Sequence, residues 1–323
     1  MTAADFPLGS HTFSMRLSLS KTLFLSAFAT VALSPLSEAI TIRDDTSDSA
    51  YTSLAANTLY QAAGSFDGGS WGGTLIADPF GQNIYVLTAA HLVNSNLIVP
   101  GVTHFTVGGN TYDVAATTIA PGYNSSTQLN DLAIVRLATP VTNVTPVAYY
   151  TGAAELGQTI TMIGYGITGT GLTGEVGTSG GTRRAANNVI DVLNASTLGS
   201  LPSTSYAFDF DQPPFTPVTS FNIGSTTPLT LEGMISSGDS GGGDFAVIGG
   251  TLYLVGVHSY VANTDRPGAP GLSSDYADVG GSTRVSLFSS FIAQNVPEPA
   301  SAGLLAGGLA VVGGLRRRRR VIR

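Results

Sequence analysis

The run Gly238-Asp239-Ser240-Gly241-Gly242-Gly243 removes the side chains from both flanks of a single hydroxyl. Glycine adopts backbone angles closed to other residues and lets a second chain approach closely. Two readings follow: a turn between strands, or a nucleophile on a tight loop with bare N–H groups facing a substrate oxygen. A serine hydroxyl is a weak nucleophile until a base takes its proton, and histidine is the usual base. The chain has four histidines, at 11, 91, 104 and 258. His91 ends the apolar run "VLTAAH", where a lone histidine reads equally as a packed core residue. An imidazole acting as base needs a carboxylate on its other nitrogen. Asp131 opens "NDLAIVRL", where on its own it is a strand-end acid. Taken together, Ser240, His91 and Asp131 supply a nucleophile, a base and an orienting acid, the parts required for acyl transfer.

Such side chains come from distant positions, so the elements between them must hold them together. The 323 residues are 43% hydrophobic and 11% charged, with 40 glycines and 16 prolines. Short apolar runs such as "WGGTLIAD", "NIYVLTAAHLV", "HFTVGG", "ITMIGYG", "SYAFDF" and "TLYLVGVHSY" are bounded by Gly, Asn, Asp or Pro. Strand-length runs with such punctuation predict an all-β fold. Residues 166–181 are glycine-rich and predict an exposed loop. Residues 283–295 predict a closing helix, with Leu287, Phe288, Phe291 and Ile292 on one face. No internal period indicates a solenoid or propeller. Between residues 40 and 296 there are six arginines, no lysine and eighteen acidic residues. An acidic body does not suit nucleic acid or an anionic membrane. There is no cysteine, hence no disulfide framework and no thiolate metal site. No cofactor or metal is expected; Asp209 and Asp211 read as an exposed acidic loop.

The three motifs, in the order Leu87-Thr88-Ala89-Ala90-His91, Asn130-Asp131-Leu132-Ala133-Ile134 and Gly238-Asp239-Ser240-Gly241-Gly242, resemble the chymotrypsin/trypsin-like serine proteases. Further matches are Gly72-Gly73-Thr74-Leu75-Ile76, Gly164-Tyr165-Gly166, the strand from Leu254 to Tyr260 and Gly281-Ser282-Thr283-Arg284-Val285. The resemblance covers about residues 70–294. It implies two packed six-stranded antiparallel β-barrels with a C-terminal helix, the triad His91, Asp131 and Ser240, and an oxyanion hole from the N–H groups of Gly238 and Ser240. It implies a protein or peptide substrate. The same Gly-x-Ser-x-Gly spacing occurs in the nucleophile elbow of α/β-hydrolases. That family orders its triad Ser, Asp, His, whereas here only His258 lies downstream of the serine, inside a strand pattern. A second functional reading is a non-catalytic, envelope-sorted binding or matrix protein on the protease fold.

The chain departs from the family at several points. Ala90 stands where the family has a cystine, and Gly243 where it has proline. In trypsin-like members an aspartate six residues before the serine attracts Lys or Arg; here it is Met234, followed by Ile235. Val261 stands where a glycine would follow Ser259 and Tyr260. These five residues, Met234, Ile235, Ser259, Tyr260 and Val261, therefore predict an apolar or narrow specificity pocket that disfavours basic residues.

Both ends carry targeting patterns. Arg16, Lys21, the apolar run 22–33 and Ser37-Glu38-Ala39 form a secretory signal, with Met15 as an alternative start. Segment 1–39 is expected to be removed by signal peptidase, leaving Ile40 as the new N-terminus. The family's activating amine, an apolar N-terminus paired with the aspartate before the serine, would then be Ile40 on Asp239, although Ile42, Arg43 and Asp44 stand where the family has its two glycines; the alternative is that Asp239 pairs with backbone N–H groups or a side chain from the loops. Residues 296–323 combine Pro297-Glu298-Pro299, an apolar Gly-rich run and Arg316 to Arg320, and resemble the PEP-CTERM sorting tail. The apolar run is short for a transmembrane helix, which needs about 20 residues. That resemblance implies export across the inner membrane, transient membrane contact through the tail, and trimming by an exosortase-like enzyme. The protease domain is expected to span residues 40–295.

Overall fold

A computed structural model describes residues 39–69, 71–177, 180–213, 223–264 and 271–296. The chain enters through a two-residue strand, β1 (Thr41–Ile42), and a helix, α1 (Asp48–Ala55). Six strands follow: β2 (Ala63–Phe66), β3 (Trp71–Leu75), β4 (Tyr85–Thr88), β5 (His104–Val107), β6 (Asn110–Ile119) and β7 (Ala133–Leu137). They close into a barrel in the order β2-β3-β4-β7-β6-β5. Its interior is filled by Phe66, Leu75, Leu87, Phe105, Val135 and Leu137, all essentially inaccessible to solvent. The one-turn helix α2 (Ala90–Asn94) follows β4. Closure leaves this sheet without an open edge.

The second half comprises β8 (Ala148–Tyr149), β9 (Thr159–Gly164), β10 (Thr168–Thr170), β11 (Gly174–Val176), β12 (Arg184–Val189), β13 (Ser205–Asp209), β14 (Gly233–Met234), β15 (Gly243–Ile248), β16 (Thr251–Ala262) and β17 (Val279–Arg284). The second of the two expected barrels takes the form of a half-barrel sheet. Seven strands form a sheet ordered β12-β9-β15-β16-β17-β13, with β8 paired on β16. Its two ends meet through a single bridge, in which Val192 N donates to Ala207 O (3.2 Å) and Ala207 N to Val192 O (2.9 Å).

A separate four-stranded sheet, β11-β10-β1-β14, lies beside it. β1 runs parallel to β10 and antiparallel to β14. The glycine-rich segment is therefore a hairpin over much of its length, not an exposed loop. Its glycines serve close contact: a Cβ on Gly169 would lie 1.7 Å from the Gly174 carbonyl oxygen. Positions 178 and 179 lie outside the described residues.

The closing helix is split. Residues 285–288 form a 3-10 turn and only Ser289–Asn295 (α3) is α-helical. The tighter turn rotates Leu287 away from the core, leaving it 51% exposed, while Phe288 and Ile292 are buried beside the first barrel. Arg284, at the end of β17, forks onto the buried Glu155 through Nε and Nη2, both at 3.0 Å.

Asp209 and Asp211 are buried, correcting their reading as an exposed loop. With Asp191 and Glu232 they form an acidic cluster beneath β13. Asp211 N donates to Glu232 Oε1 at 2.7 Å, and Ser225 N to Asp191 Oδ1 at 2.7 Å. Burial, then the charges of Asp211 and Asp191, push Asp209 up to about 9. Burial takes Glu232 to about 8 and Asp191 to about 6. Each of these folded-state values lies above that of the unfolded chain, so folding takes up protons. The associated stability is complete in acid and is lost as pH rises through about 6 to 9. The melting temperature is therefore expected to fall between pH 5 and pH 9, and Asp209→Asn to flatten that decline, gaining stability at pH 9 with little change at pH 5. Calorimetry at the two pH values checks this; a variant with the wild-type slope removes Asp209 as its source.

Candidate active site

His91 lies in the first turn of α2, where backbone N–H groups have no partner within the helix. Ala89, the preceding cap residue, offers no side-chain acceptor. Asp131, forty residues on and fully buried, takes over that role: its Oδ1 accepts from His91 N at 2.8 Å, and its Oδ2 meets His91 Nδ1 at 2.7 Å. One carboxylate thus fixes both the backbone and the ring of the same residue. An ionised carboxylate only accepts, so Nδ1 carries the proton and Nε2 keeps its lone pair.

The second half of the fold grips the same carboxylate. The pairing of β16 with β17 shifts register between His258 and Tyr260, which leaves Ser259 as a bulge residue. Its Oγ donates to Asp131 Oδ2 at 2.6 Å. Thr283 Oγ1, on β17, donates to the Asp131 carbonyl oxygen at 2.9 Å. Neither contact follows from the sequence, because each joins residues more than a hundred positions apart.

Ser240 belongs to the loop between β14 and β15. Gly72 N, on β3, donates to its carbonyl oxygen at 2.9 Å, and Thr88 Oγ1 donates to the Gly72 carbonyl at 2.8 Å. These bonds lay the serine loop against the strand that leads into His91. The glycines make the approach possible: a Cβ on Gly241, at φ +79°, would stand 2.2 Å from Thr88 Oγ1 and 2.4 Å from the Gly72 oxygen. Along the loop, the N–H groups of Ser236, Ser237, Asp239, Gly241 and Gly242 donate to Asp239 Oδ2, Glu175 Oε1, Ser236 O, His258 O and Asp239 O respectively. Among the described residues, those of Gly238 and Ser240 have no acceptor. The Ser240 hydroxyl is likewise unbonded and borders a cavity of about 300 Å³. The structure brings His91 and Asp131 into contact and sets Ser240 on the adjoining loop, without a hydrogen bond between Ser240 and His91.

Of the residues expected in the specificity pocket, Ile235, Ser259, Tyr260 and Val261 line the cavity. Met234 does not: it is fully buried in β14, pairs with Thr41, and packs its sulfur against Gly280. Glu175, on β11, does line the cavity, and no sequence motif marks it. His104 is exposed on the first barrel beside Asp67 and Asp113. His258 is buried behind the serine loop, its Nε2 at 2.8 Å from Asp244 Oδ1, with Tyr206 OH on Asp244 Oδ2 at 2.6 Å. Burial lowers the His258 pKa, but the Asp244 charge and hydrogen bond outweigh that and raise it overall.

Asp239 is fully buried beside Ser240. Its Oδ1 accepts from Gly166 N at 2.7 Å; its Oδ2 accepts from Ser236 N and Oγ, both at 2.8 Å, and from Ile40 N at 3.2 Å. Burial raises its pKa, while the His258 charge and the hydrogen bonds from Gly166 and Ser236 work in the opposite direction. Ile40 holds φ +59°, a region that branched residues avoid.

Among the described residues no group of His, Cys, Asp or Glu could hold a metal ion, and no helix is long and apolar enough to cross a membrane. The tail from residue 297 onward lies outside the described residues. No curated protein matches the chain. The PEP-CTERM protein-sorting motif matches residues 295–320 and indicates export and sorting to the cell envelope. The trypsin family model matches residues 52–279. That match runs through the closed barrel, the second sheet and the seam where His91, Asp131 and Ser240 lie, and the chain belongs to the trypsin family of serine proteases.

Proposed function

We propose that this protein is an exported serine endopeptidase that cleaves peptide bonds through an acyl-enzyme. The observation that carries this reading is the buried Asp131, whose Oδ2 lies 2.7 Å from His91 Nδ1; with Nδ1 as the donor, Nε2 is left to act as base. Ser240 Oγ attacks the substrate carbonyl carbon and its proton passes to His91 Nε2. The oxyanion is received by the N–H groups of Gly238 and Ser240. One such donor typically contributes roughly 3–4 kcal/mol to the transition state. His91 then protonates the leaving amine, and the acyl group remains on Ser240. Water, deprotonated by His91, attacks that ester and releases the acid. Throughout, Asp131 stays ionised and stabilises the imidazolium. Hydrogen bonds between a nucleophile and its base commonly tighten only when substrate binds, which accommodates the unbonded Ser240 hydroxyl.

Residues 1–39 act as the signal segment, 40–295 as the protease domain and 296–323 as the sorting tail, trimmed by an exosortase-like enzyme after transient membrane contact. Cleavage by signal peptidase after Ala39 leaves the amine of Ile40 against Asp239. Two observations support this: the 3.2 Å contact between Ile40 N and Asp239 Oδ2, and the strained φ of Ile40 in the intact chain. Strain of this kind costs on the order of 1–3 kcal/mol and is released when the preceding bond is cut.

Three outcomes are expected. Ser240→Ala should lower amidase turnover by about a million-fold and abolish fluorophosphonate labelling, with an unchanged melting temperature; turnover near wild type would refute the nucleophile. A mature enzyme carrying one extra residue before Ile40, verified by N-terminal sequencing, should lose most of its activity. Full activity there would mean that Asp239 does not need the amine. Mass spectrometry of released protein should find a C-terminus upstream of Leu304, and recovery of Arg320 in that material would contradict trimming.

A further inference from the structure

We infer that Glu175 is the residue that selects the substrate side chain entering the cavity, and that it favours a cationic one. This deepens the endopeptidase reading and rests on it for the reaction, though not for binding. The position from which the family sets charge preference is Met234, and that side chain is shut inside the core against Gly280. Selection must come from groups that reach the cavity. Glu175 reaches it from β11, a strand outside the serine loop.

The carboxylate is held in place between two walls. Its Oε1 accepts from Ser237 N at 2.7 Å on one wall, and from Ser274 Oγ at 2.9 Å and Ser273 Oγ at 3.4 Å on the other. All three donors are neutral, so they orient the group without cancelling its charge. Three other ionisable residues border the cavity: Tyr260, a phenol bonded to Ser205 Oγ, Asp239 and His258. Asp239 is enclosed by its own four donors, and His258 is bound to Asp244, so their charges are satisfied within the protein. Among the described residues no Lys or Arg lines the cavity. Among the described lining residues, the charge left to face a ligand is therefore that of Glu175.

The remaining lining fits the same ligand. Gln128 Oε1 is a buried acceptor with no donor, and such an atom gains most from a ligand N–H. Ile235 and Val261 supply apolar surface for the aliphatic stem of a lysine or arginine, whose head stays polar. The apolar preference expected from Met234 and Val261 thus gives way to an amphipathic one.

Glu175→Gln separates charge from scaffold, because the amide oxygen still accepts from Ser237 N and Ser274 Oγ. The probes are 4-aminobenzamidine and its neutral counterpart 4-aminobenzamide, with affinity measured by calorimetry. The wild-type protein should bind the amidine about tenfold or more tightly than the amide, the scale of one charge-assisted hydrogen bond. Glu175→Gln should erase that gap and leave amide affinity unchanged. In peptide cleavage, kcat/KM for Lys or Arg before the cut should fall by about the same factor relative to that for aliphatic peptides. Equal binding of the two probes by the wild type, or a gap that survives Glu175→Gln, overturns the inference. The wild-type comparison needs no variant to fold. If Ser240 resists fluorophosphonate, the protease reading fails, while the amidine measurement still decides the role of Glu175.

Discussion

A carboxylate removed from water must be met by donors, and Asp239 imposes that requirement on the centre of this molecule. An unpaired charge at such a site would cost several kcal/mol. Its partners come from the entering chain at Ile40, from the segment after β9 at Gly166, and from its own loop at Ser236. The same contacts give the serine loop its shape. Once Asp239 is satisfied, Ser240 is displayed at the cavity, β1 is seated between β10 and β14, and β11 is carried to where Glu175 meets Ser237. The serine loop, the entering strand and the cavity wall are therefore consequences of one desolvated charge.

The seam between the two halves repeats this device. Asp131, from the first barrel, is gripped by Ser259 and Thr283 of the second sheet. Asp244, on β15, is held by His258 and Tyr206. Three buried aspartates each order a different part: the histidine, the serine loop and the strand behind it. Each fixes donors that a weaker acceptor would leave mobile, so the polar groups are oriented before substrate arrives. Preorganised dipoles need no rearrangement at the moment of reaction, and that is where electrostatic catalysis gains over water. The low lysine content is compatible with this arrangement, since the buried acids are matched by N–H, hydroxyl, guanidinium and imidazole groups.

Much of the site was legible in the sequence because its chemistry demands particular residue types in particular surroundings. A serine between glycines, a histidine after an apolar strand and an acid before another carry their meaning locally. The first barrel was legible for a similar reason, since β3, β4, β5, β6 and β7 all fall on punctuated apolar runs. What escaped depends on long-range pairing. The bulge that turns Ser259 toward Asp131 is a register event between β16 and β17. Burial of Asp209 and Asp211 depends on Glu232 and Asp191 arriving from other segments. The ends of the second sheet meet through the Val192–Ala207 bridge, a long-range pairing that the run "NVIDVL" does not announce. Glycine was the most ambiguous letter: in residues 166–181 it suggested looseness, whereas at Gly169 it marks contact too close for a Cβ.

That ambiguity has a physical resolution at the seam. Gly72 and Gly241 face each other from different halves of the chain, and a Cβ on either would collide with the backbone of the other loop. The consequence is directional. A side chain at either position would push the serine loop away from β3, break the bond from Gly72 N to Ser240 O, and move the hydroxyl relative to His91. In the proposed acyl transfer, which is sensitive to displacements of about 1 Å, such a change would act on turnover before it acted on folding. The absence of side chains around Ser240 is thus a requirement of position. It lets two independently packed halves meet at a distance set by backbone against backbone, which is the shortest and least adjustable contact a protein can make.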